Sequence, residues 1–137
     1  MKTEKVSINL NPTELGQIDL LVEKGIFDNR SDFMRSAARK SLENYNDDFK
    51  QFLEPAHLQN EPAYGMYWSL GILSLDKKEF ARHIQKGKKI DIRVIGLLKL
   101  AKDVTVADIQ QTVLSCKVSG KVIASPEVKA ALEALNA

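Results

Sequence analysis

Polar and apolar residues alternate without a break over residues 5–10, with the period of two that is typical of a β-strand. One face of this predicted strand is apolar, and the other is polar. The apolar face consists of Val6, Ile8 and Leu10, and the polar face of Lys5, Ser7 and Asn9. The pattern predicts one short strand with a buried and a solvated side.

Two amphipathic helices are predicted after the strand. Asn11 is a suitable helix cap, and Pro12 fits the first helical position, where a missing N–H costs nothing. Gly25 stands where the first helix should end, because glycine tolerates the left-handed conformation of many helix ends. A second helix opens around residues 29–32, and its apolar stripe continues to Tyr45. The predicted order is strand, helix, helix.

A single strand cannot form a sheet, and two short helices cannot bury a complete core. A second copy of the chain would supply the missing strand, and a two-fold axis would make the two strands antiparallel. The apolar strand faces would then join four helices in one core. The outward face of the ribbon would carry Lys5, Ser7 and Asn9 from each chain. Such a ribbon fits a DNA major groove, which is about 12 Å wide.

Residues 3–45 resemble a ribbon-helix-helix DNA-binding domain of the MetJ/Arc type. The resemblance rests on residues 6–12, on the helix that ends at Gly25, and on the segment Asn-Arg-Ser-Asp-Phe-Met-Arg-Ser-Ala at residues 29–37. It implies an intertwined dimer whose strands read bases and whose second helix grips a phosphate at its N-terminus. The implied base contacts are Lys5, Ser7, Asn9 and Thr3, and the implied phosphate contacts are Asn29, Arg30 and Ser31.

Each of these residues also has a plainer interpretation. The polar strand face could be the solvated side of an edge strand. Asn29 or Ser31 could be an ordinary helix cap, which contributes about 1 kcal/mol to stability. Capping and phosphate binding are compatible, because a cap satisfies only one of several free amides.

The segment 46–63 begins as a continuation of the second helix and loses its periodicity between Pro55 and Pro62. We therefore predict three regions. They are a DNA-binding and dimerisation domain at residues 1–48, a linker at 49–63, and a second domain at 64–137.

The second half of the chain contains a repeat. Residues 70–75 align with residues 95–100 at an offset of 25, and a third copy at 119–124 follows 24 residues later. Each copy predicts a strand that runs through a glycine, followed by a helix at 77–86, 104–114 or 126–135. Strand–helix–strand connections give parallel pairing. The predicted fold class is α+β, with a small α/β domain of three strand–helix repeats as a candidate effector-binding or assembly module.

The charge of the chain gives little support to DNA binding by itself. Lys and Arg number 20 against 18 Asp and Glu, a net charge of +2. Residues 1–50 hold eight basic and nine acidic residues, so a single dimer should bind DNA modestly. The basic excess lies at residues 77–93, where a solvated helix face is the simplest explanation. A second contact with the DNA backbone is the alternative, and its candidates are Lys86, Lys88, Lys89 and Arg93.

No set of residues indicates catalysis, a bound metal or a cofactor, so we do not expect an enzyme. The one cysteine, Cys116, has apolar neighbours and is expected to be buried. The longest stretch without a charged residue, 62–75, is too short to span a membrane, and no apolar signal segment follows the N-terminus. We expect a cytoplasmic protein.

The sequence predicts a homodimeric transcriptional regulator, most simply a repressor, that binds double-stranded DNA and assembles further on DNA or through its C-terminal domain. A structural or interaction protein is one alternative, in which the N-terminal unit only dimerises and the repeats bind a protein partner. The antitoxin of a toxin–antitoxin pair is another.

Overall fold

The computed structural model describes residues 3–54 and 64–135. Contacts divide the chain into two compact units, residues 1–46 and residues 47–137. Each unit is described by itself below.

The first unit contains two helices, α1 (Pro12–Glu23) and α2 (Arg30–Glu43). The Asn11 side chain caps α1 by accepting a hydrogen bond from the Glu14 amide, and Gly25 has a φ of +76° just after the helix. Residues 3–11 have no regular secondary structure. The predicted strand finds no pairing strand among the described residues of one chain, so the dimeric ribbon stays a prediction.

Much of the apolar surface of the first unit is uncovered. The side chains of Val6 and Ile8 are 84% and 59% exposed, and Ile18 alone among the described residues of this unit is a buried hydrophobic side chain. A groove of about 660 Å³ lies beside α1 and α2. Its apolar lining comes from Leu10, Ile18, Leu20, Leu21, Phe33 and Met34. One chain by itself therefore leaves the core of this unit incomplete.

The second unit is built from strands that alternate with helices, preceded by the short helix α3 (Asn46–Leu53). The later elements are β1 (Tyr64–Leu75), α4 (Lys77–Lys86), β2 (Lys89–Leu100), α5 (Val106–Thr112), β3 (Val113–Ile123) and α6 (Pro126–Ala134). Helix α3 covers the start of the predicted linker. This part of the chain belongs to the folded second unit, because Leu53 is buried and Phe52 contacts Arg93 of β2. The rest of that linker, residues 55–63, lies outside the described residues.

The three strands form one parallel sheet in the order β1-β2-β3. Parallel pairing is thus confirmed, and its register follows the sequence offsets, because Gly71 pairs with Gly96 and Gly96 with Gly120. Helix α5 is shorter than the predicted 104–114, since β3 already begins at Val113. The core joins one sheet face to the helices and includes Phe80, Ile92, Val94, Leu98, Ile109, Val128 and Leu132.

The paired glycines form a column across the sheet. Gly71, Gly96 and Gly120 have φ values of +130°, +132° and +129°, a region that other residues rarely adopt. A Cβ on Gly96 would collide with the carbonyl oxygen of Gly71, and a Cβ on Gly120 with that of Gly96. Backbone conformation therefore favours glycine at all three positions, and the close approach of the preceding strand adds a second requirement at Gly96 and Gly120.

Candidate nucleic-acid interface

The four candidate base-reading residues lie in the segment before α1. Lys5, Ser7, Asn9 and Thr3 are all exposed. In the same segment Val6 and Ile8 are exposed as well, and Leu10 is half-buried. The single chain therefore leaves these polar side chains accessible, while the arrangement of the segment as a two-stranded ribbon requires a partner.

The N-terminus of α2 offers two free backbone donors. The Asn29 side chain accepts a hydrogen bond from the Asp32 amide at 2.8 Å, and its carbonyl accepts one from the Phe33 amide at 3.2 Å. The amides of Arg30 and Ser31, at the first two helical positions, have no acceptor within the described residues. Free amides at the positive end of a helix dipole suit an anion such as a phosphate.

The Arg30 side chain is engaged with α1. Its guanidinium donates to both carboxylate oxygens of Asp19, with N–O distances of 2.8 Å. This hydrogen bonding lowers the pKa of Asp19 and raises that of Arg30. The two side chains remain 46% and 60% exposed, so Arg30 stays within reach of a ligand at the start of α2.

Acidic groups surround this helix start. Asp32, in the first turn of α2, accepts a hydrogen bond from the Asp28 amide at 3.0 Å. Asp32 thus adds a negative charge to the first turn of the helix, while Asp19 neutralises the Arg30 side chain. An incoming phosphate would meet both favourable donors and unfavourable carboxylates, in keeping with the net charge of −1 over residues 1–50.

The four basic candidates at residues 86–93 differ in their exposure. Lys86, Lys88 and Lys89 are exposed around the turn at Gly87, which has a φ of +63°. Arg93, in contrast, is 7% exposed. The candidate basic surface therefore consists of three lysines without Arg93.

Arg93 forms a buried ion pair with Asp91. Its Nε donates to Asp91 Oδ2 at 3.0 Å, its Nη1 donates to the Phe52 carbonyl at 3.4 Å, and its guanidinium lies 5.9 Å from the centre of the Phe52 ring. Strand residues two apart share a face, so the spacing of Asp91 and Arg93 was a signal for this pair that the charge count alone obscured.

Tyr67, Glu79 and His83 form a half-buried polar cluster that the sequence did not reveal. The Tyr67 hydroxyl donates to Glu79 Oε2 at 3.1 Å and lies 2.8 Å from His83 Nε2. Burial raises the pKa of Tyr67 and lowers that of His83. The residues come from β1 and α4, so their proximity depends on the crossover. Across residues 3–54 and 64–135, no group of His, Cys, Asp and Glu side chains is arranged to hold a metal ion.

The sequence matches the Ribbon-Helix-Helix transcriptional regulator family over residues 1–129. The chain belongs to this family, and the resemblance recognised at residues 3–45 is confirmed. The match also extends through most of the second unit, which the sequence motifs alone did not connect with the family. Membership implies DNA binding, dimerisation and a regulatory rather than an enzymatic role.

Comparison with curated proteins and with solved structures found no match. Among the described helices, none is both long and apolar enough to cross a membrane.

Proposed function

We propose that the protein is a homodimeric transcriptional repressor that inserts a two-stranded antiparallel ribbon into the major groove of double-stranded DNA. The observation that carries this proposal is the exposure of Val6 and Ile8, at 84% and 59%, in a segment of strict polar–apolar alternation. Pairing of this segment with its copy would bury these side chains over the groove beside α1 and α2. The same pairing would turn Lys5, Ser7 and Asn9 outward.

The outward residues have the chemistry for reading base edges. An asparagine such as Asn9 can form two hydrogen bonds with adenine, and a lysine such as Lys5 can donate to guanine O6 and N7. Ser7 can donate or accept, and Thr3 lies one step earlier on the same predicted face. Two copies of this short set would read the two half-sites of an operator with approximate two-fold symmetry.

The start of α2 would position the ribbon on the DNA backbone. The free amides of Arg30 and Ser31 can donate to one phosphate, while Asn29 caps the helix without occupying them. Arg30 can add a charged contact by moving from Asp19 toward the phosphate. Such contacts fix the orientation of the protein without reading sequence.

A single dimer would bind with modest affinity, because the basic and acidic residues of residues 1–50 nearly cancel. Several dimers on adjacent half-sites would compensate for this by cooperative binding. The exposed lysines Lys86, Lys88 and Lys89 are candidates for a further backbone contact from the second unit.

The proposal is tested by selecting bound sequences from a random DNA pool and measuring affinity for the enriched motif. The double variant Lys5→Ala/Asn9→Ala should lose about tenfold or more in specific affinity, since each good base contact contributes about 1–3 kcal/mol. Sedimentation should show the same association for this variant as for the wild-type chain. The matched control Lys24→Ala/Asn44→Ala removes exposed side chains of the same types outside the predicted ribbon.

Two results would contradict the proposal. Full specific binding by Lys5→Ala/Asn9→Ala would remove the base-reading role from these residues. A pool in which no motif is enriched would favour a protein that dimerises through its first unit and acts through protein contacts.

A further inference from the structure

The two edge strands of the second unit differ in chemistry. No charged residue occurs in β1, and its side chains at Trp68, Leu70 and Ile72 are 49%, 66% and 49% exposed. Strand β3 instead carries exposed Lys117 and Lys121. Within the described residues, each of these strands pairs only with β2. Charged side chains on an edge strand disfavour its pairing with other strands, whereas a long uncharged edge strand favours such pairing.

The glycine column is incomplete at β1. At Gly96 and Gly120, the place of a Cβ is filled by the carbonyl of the glycine on the preceding strand. Gly71 has the same backbone conformation, yet no described atom lies within 4 Å of its Cβ position. The outer side of β1 therefore has the geometry that receives one more glycine carbonyl.

At the opposite edge of the sheet, β3 also has no second neighbouring strand among the described residues. Helices α4 and α5 each connect one strand to the next, whereas α6 follows the last strand. A cleft of about 390 Å³ lies between β3 and α6. Its apolar lining comes from Cys116, Val118, Val122 and Leu132. A fourth parallel strand beside β3 would border this cleft.

We propose that β1 of one copy of this protein pairs in parallel beside β3 of another copy, so that the second units stack head to tail. Continuing the internal register places Gly71 of one copy beside Gly120 of the next, and Ile72 beside Lys121. The Gly120 carbonyl then fills the open place at Gly71. This stacking does not depend on DNA binding.

Charge favours the pairing of β1 with β3 over the pairing of either strand with its own copy. In the continued register Trp68 lies beside Lys117, much as it lies beside Arg93 within one chain, and an indole ring attracts a neighbouring cation. Two β3 strands paired with each other would bring lysines together. Two β1 strands paired with each other would leave the cleft beside α6 empty.

Head-to-tail contacts form a ring if the rotation between copies closes and an open assembly if it does not. The dimer that family membership implies carries two second units, so each dimer would link two such stacks. The expected behaviour is growth beyond a dimer as protein concentration rises.

Charge substitutions at Ile72 test the register by sedimentation velocity of the full chain. Ile72→Lys opposes Lys121 of the next copy, and Ile72→Glu attracts it, while both remove the same apolar side chain. We expect the Ile72→Glu variant to associate about tenfold more tightly than the Ile72→Lys variant. Opposite charges on neighbouring strands attract and like charges repel, and a tenfold difference corresponds to about 1.4 kcal/mol in the free energy of association. The control variants Gln110→Lys and Gln110→Glu change an exposed position of α5 and should associate equally.

The proposal is overturned if the wild-type chain stays a dimer at every concentration, or if the two Ile72 variants associate equally. Circular dichroism of each variant establishes that it is folded. Since Ile72 is half exposed, neither charge should disturb the core.

Crosslinking identifies which edges meet. A Leu70→Cys chain mixed with a Ser119→Cys chain should be joined by a short bismaleimide, because these positions become neighbours in the continued register. The wild-type chain serves as the blank, since burial raises the pKa of its Cys116 thiol to about 11 and keeps it unreactive. Crosslinks between two Leu70→Cys chains alone, or no crosslinks at all, would contradict head-to-tail stacking.

Discussion

The Arg30 guanidinium lies against the Asp19 carboxylate, with Nε and Nη2 each 2.8 Å from one carboxylate oxygen. The pair connects α1 to the first residue of α2. Both side chains are substantially exposed, so the pair contributes little to stability. The pair matters for binding because the Asp19 carboxylate neutralises the guanidinium of Arg30, a residue of the proposed phosphate site.

We predict that Asp19→Asn strengthens DNA binding. The substitution removes a negative charge near the incoming phosphate and releases Arg30 to contact it. Because Asp19 is exposed and screened by water, the affinity for DNA should rise only severalfold at low salt. Fluorescence anisotropy at several salt concentrations measures the change, which should shrink as salt rises.

Glu43→Gln is the matched control, because it removes an equal charge at the far end of α2 and should change affinity much less. A weaker complex for Asp19→Asn would show that Asp19 holds Arg30 in its productive orientation, which contradicts the prediction.

The glycine column provides a graded stability prediction. Gly96→Ala should destabilise the second unit by about 3 kcal/mol or more, because a positive φ costs about 1–3 kcal/mol and the new Cβ also meets the Gly71 carbonyl. Gly71→Ala has the same φ but no collision, so only the backbone cost applies. Urea unfolding at low protein concentration measures both.

Gly16→Ala is the control for these substitutions, because Gly16 lies within α1 and nothing lies within 4 Å of its Cβ position. Alanine there should stabilise the helix by up to about 1 kcal/mol. Equal losses for Gly71→Ala and Gly96→Ala would show that close strand approach contributes nothing.

The sequence predicted the elements whose signals are local. Asn11, Pro12 and Gly25 marked the bounds of α1, and the alternation of strands and helices in the repeat predicted parallel pairing. The register that the structure shows follows the spacing of the repeated glycines. The strand at residues 5–10 remains a prediction for a physical reason. Its hydrogen-bonding partner would belong to another chain, and a lone strand has no ladder to form.

Long-range contacts at the candidate sites were less predictable. The Arg30–Asp19 pair joins two helices across a turn, and nothing in the spacing of the two residues indicated which carboxylate Arg30 would meet. Arg93 was grouped with nearby lysines by sequence proximity, whereas strand pleating and α3 bury it. Exposure depends on the packing of distant elements, which a count of charges does not include.

We predict that Arg93→Ala destabilises the second unit by about 3–5 kcal/mol, because it leaves the Asp91 carboxylate buried without its partner. Asp91 is 2% exposed, and its Oδ1 already has no hydrogen-bond partner in the described structure. The double variant Asp91→Leu/Arg93→Met replaces both charges with apolar groups and should recover much of the loss. Urea unfolding compares the variants, and an equal loss in the double variant would show that the ion pair itself carries the stability.

We predict that His83, in the cluster with Tyr67 and Glu79, makes the stability of the second unit sensitive to pH. Burial lowers the pKa of His83 in the folded protein, and the positive charges of Lys86, Arg82 and Lys88 act in the same direction while Glu79 opposes them. The unfolded chain therefore binds the His83 proton more tightly than the folded chain does.

The folded protein should keep its full stability above about pH 6.5, the pKa of His83 in the unfolded chain. Its stability should fall as the pH drops below that value, since protonation of His83 then favours the unfolded state. Thermal unfolding at pH 7.5 and pH 5.5 measures the difference in midpoint. His83→Gln should reduce this difference, because glutamine can hydrogen-bond Tyr67 without titrating. His57→Gln, which removes the other histidine of the chain, should leave the difference unchanged. If His83→Gln keeps the full pH dependence, another group must carry it and the assignment to His83 is wrong.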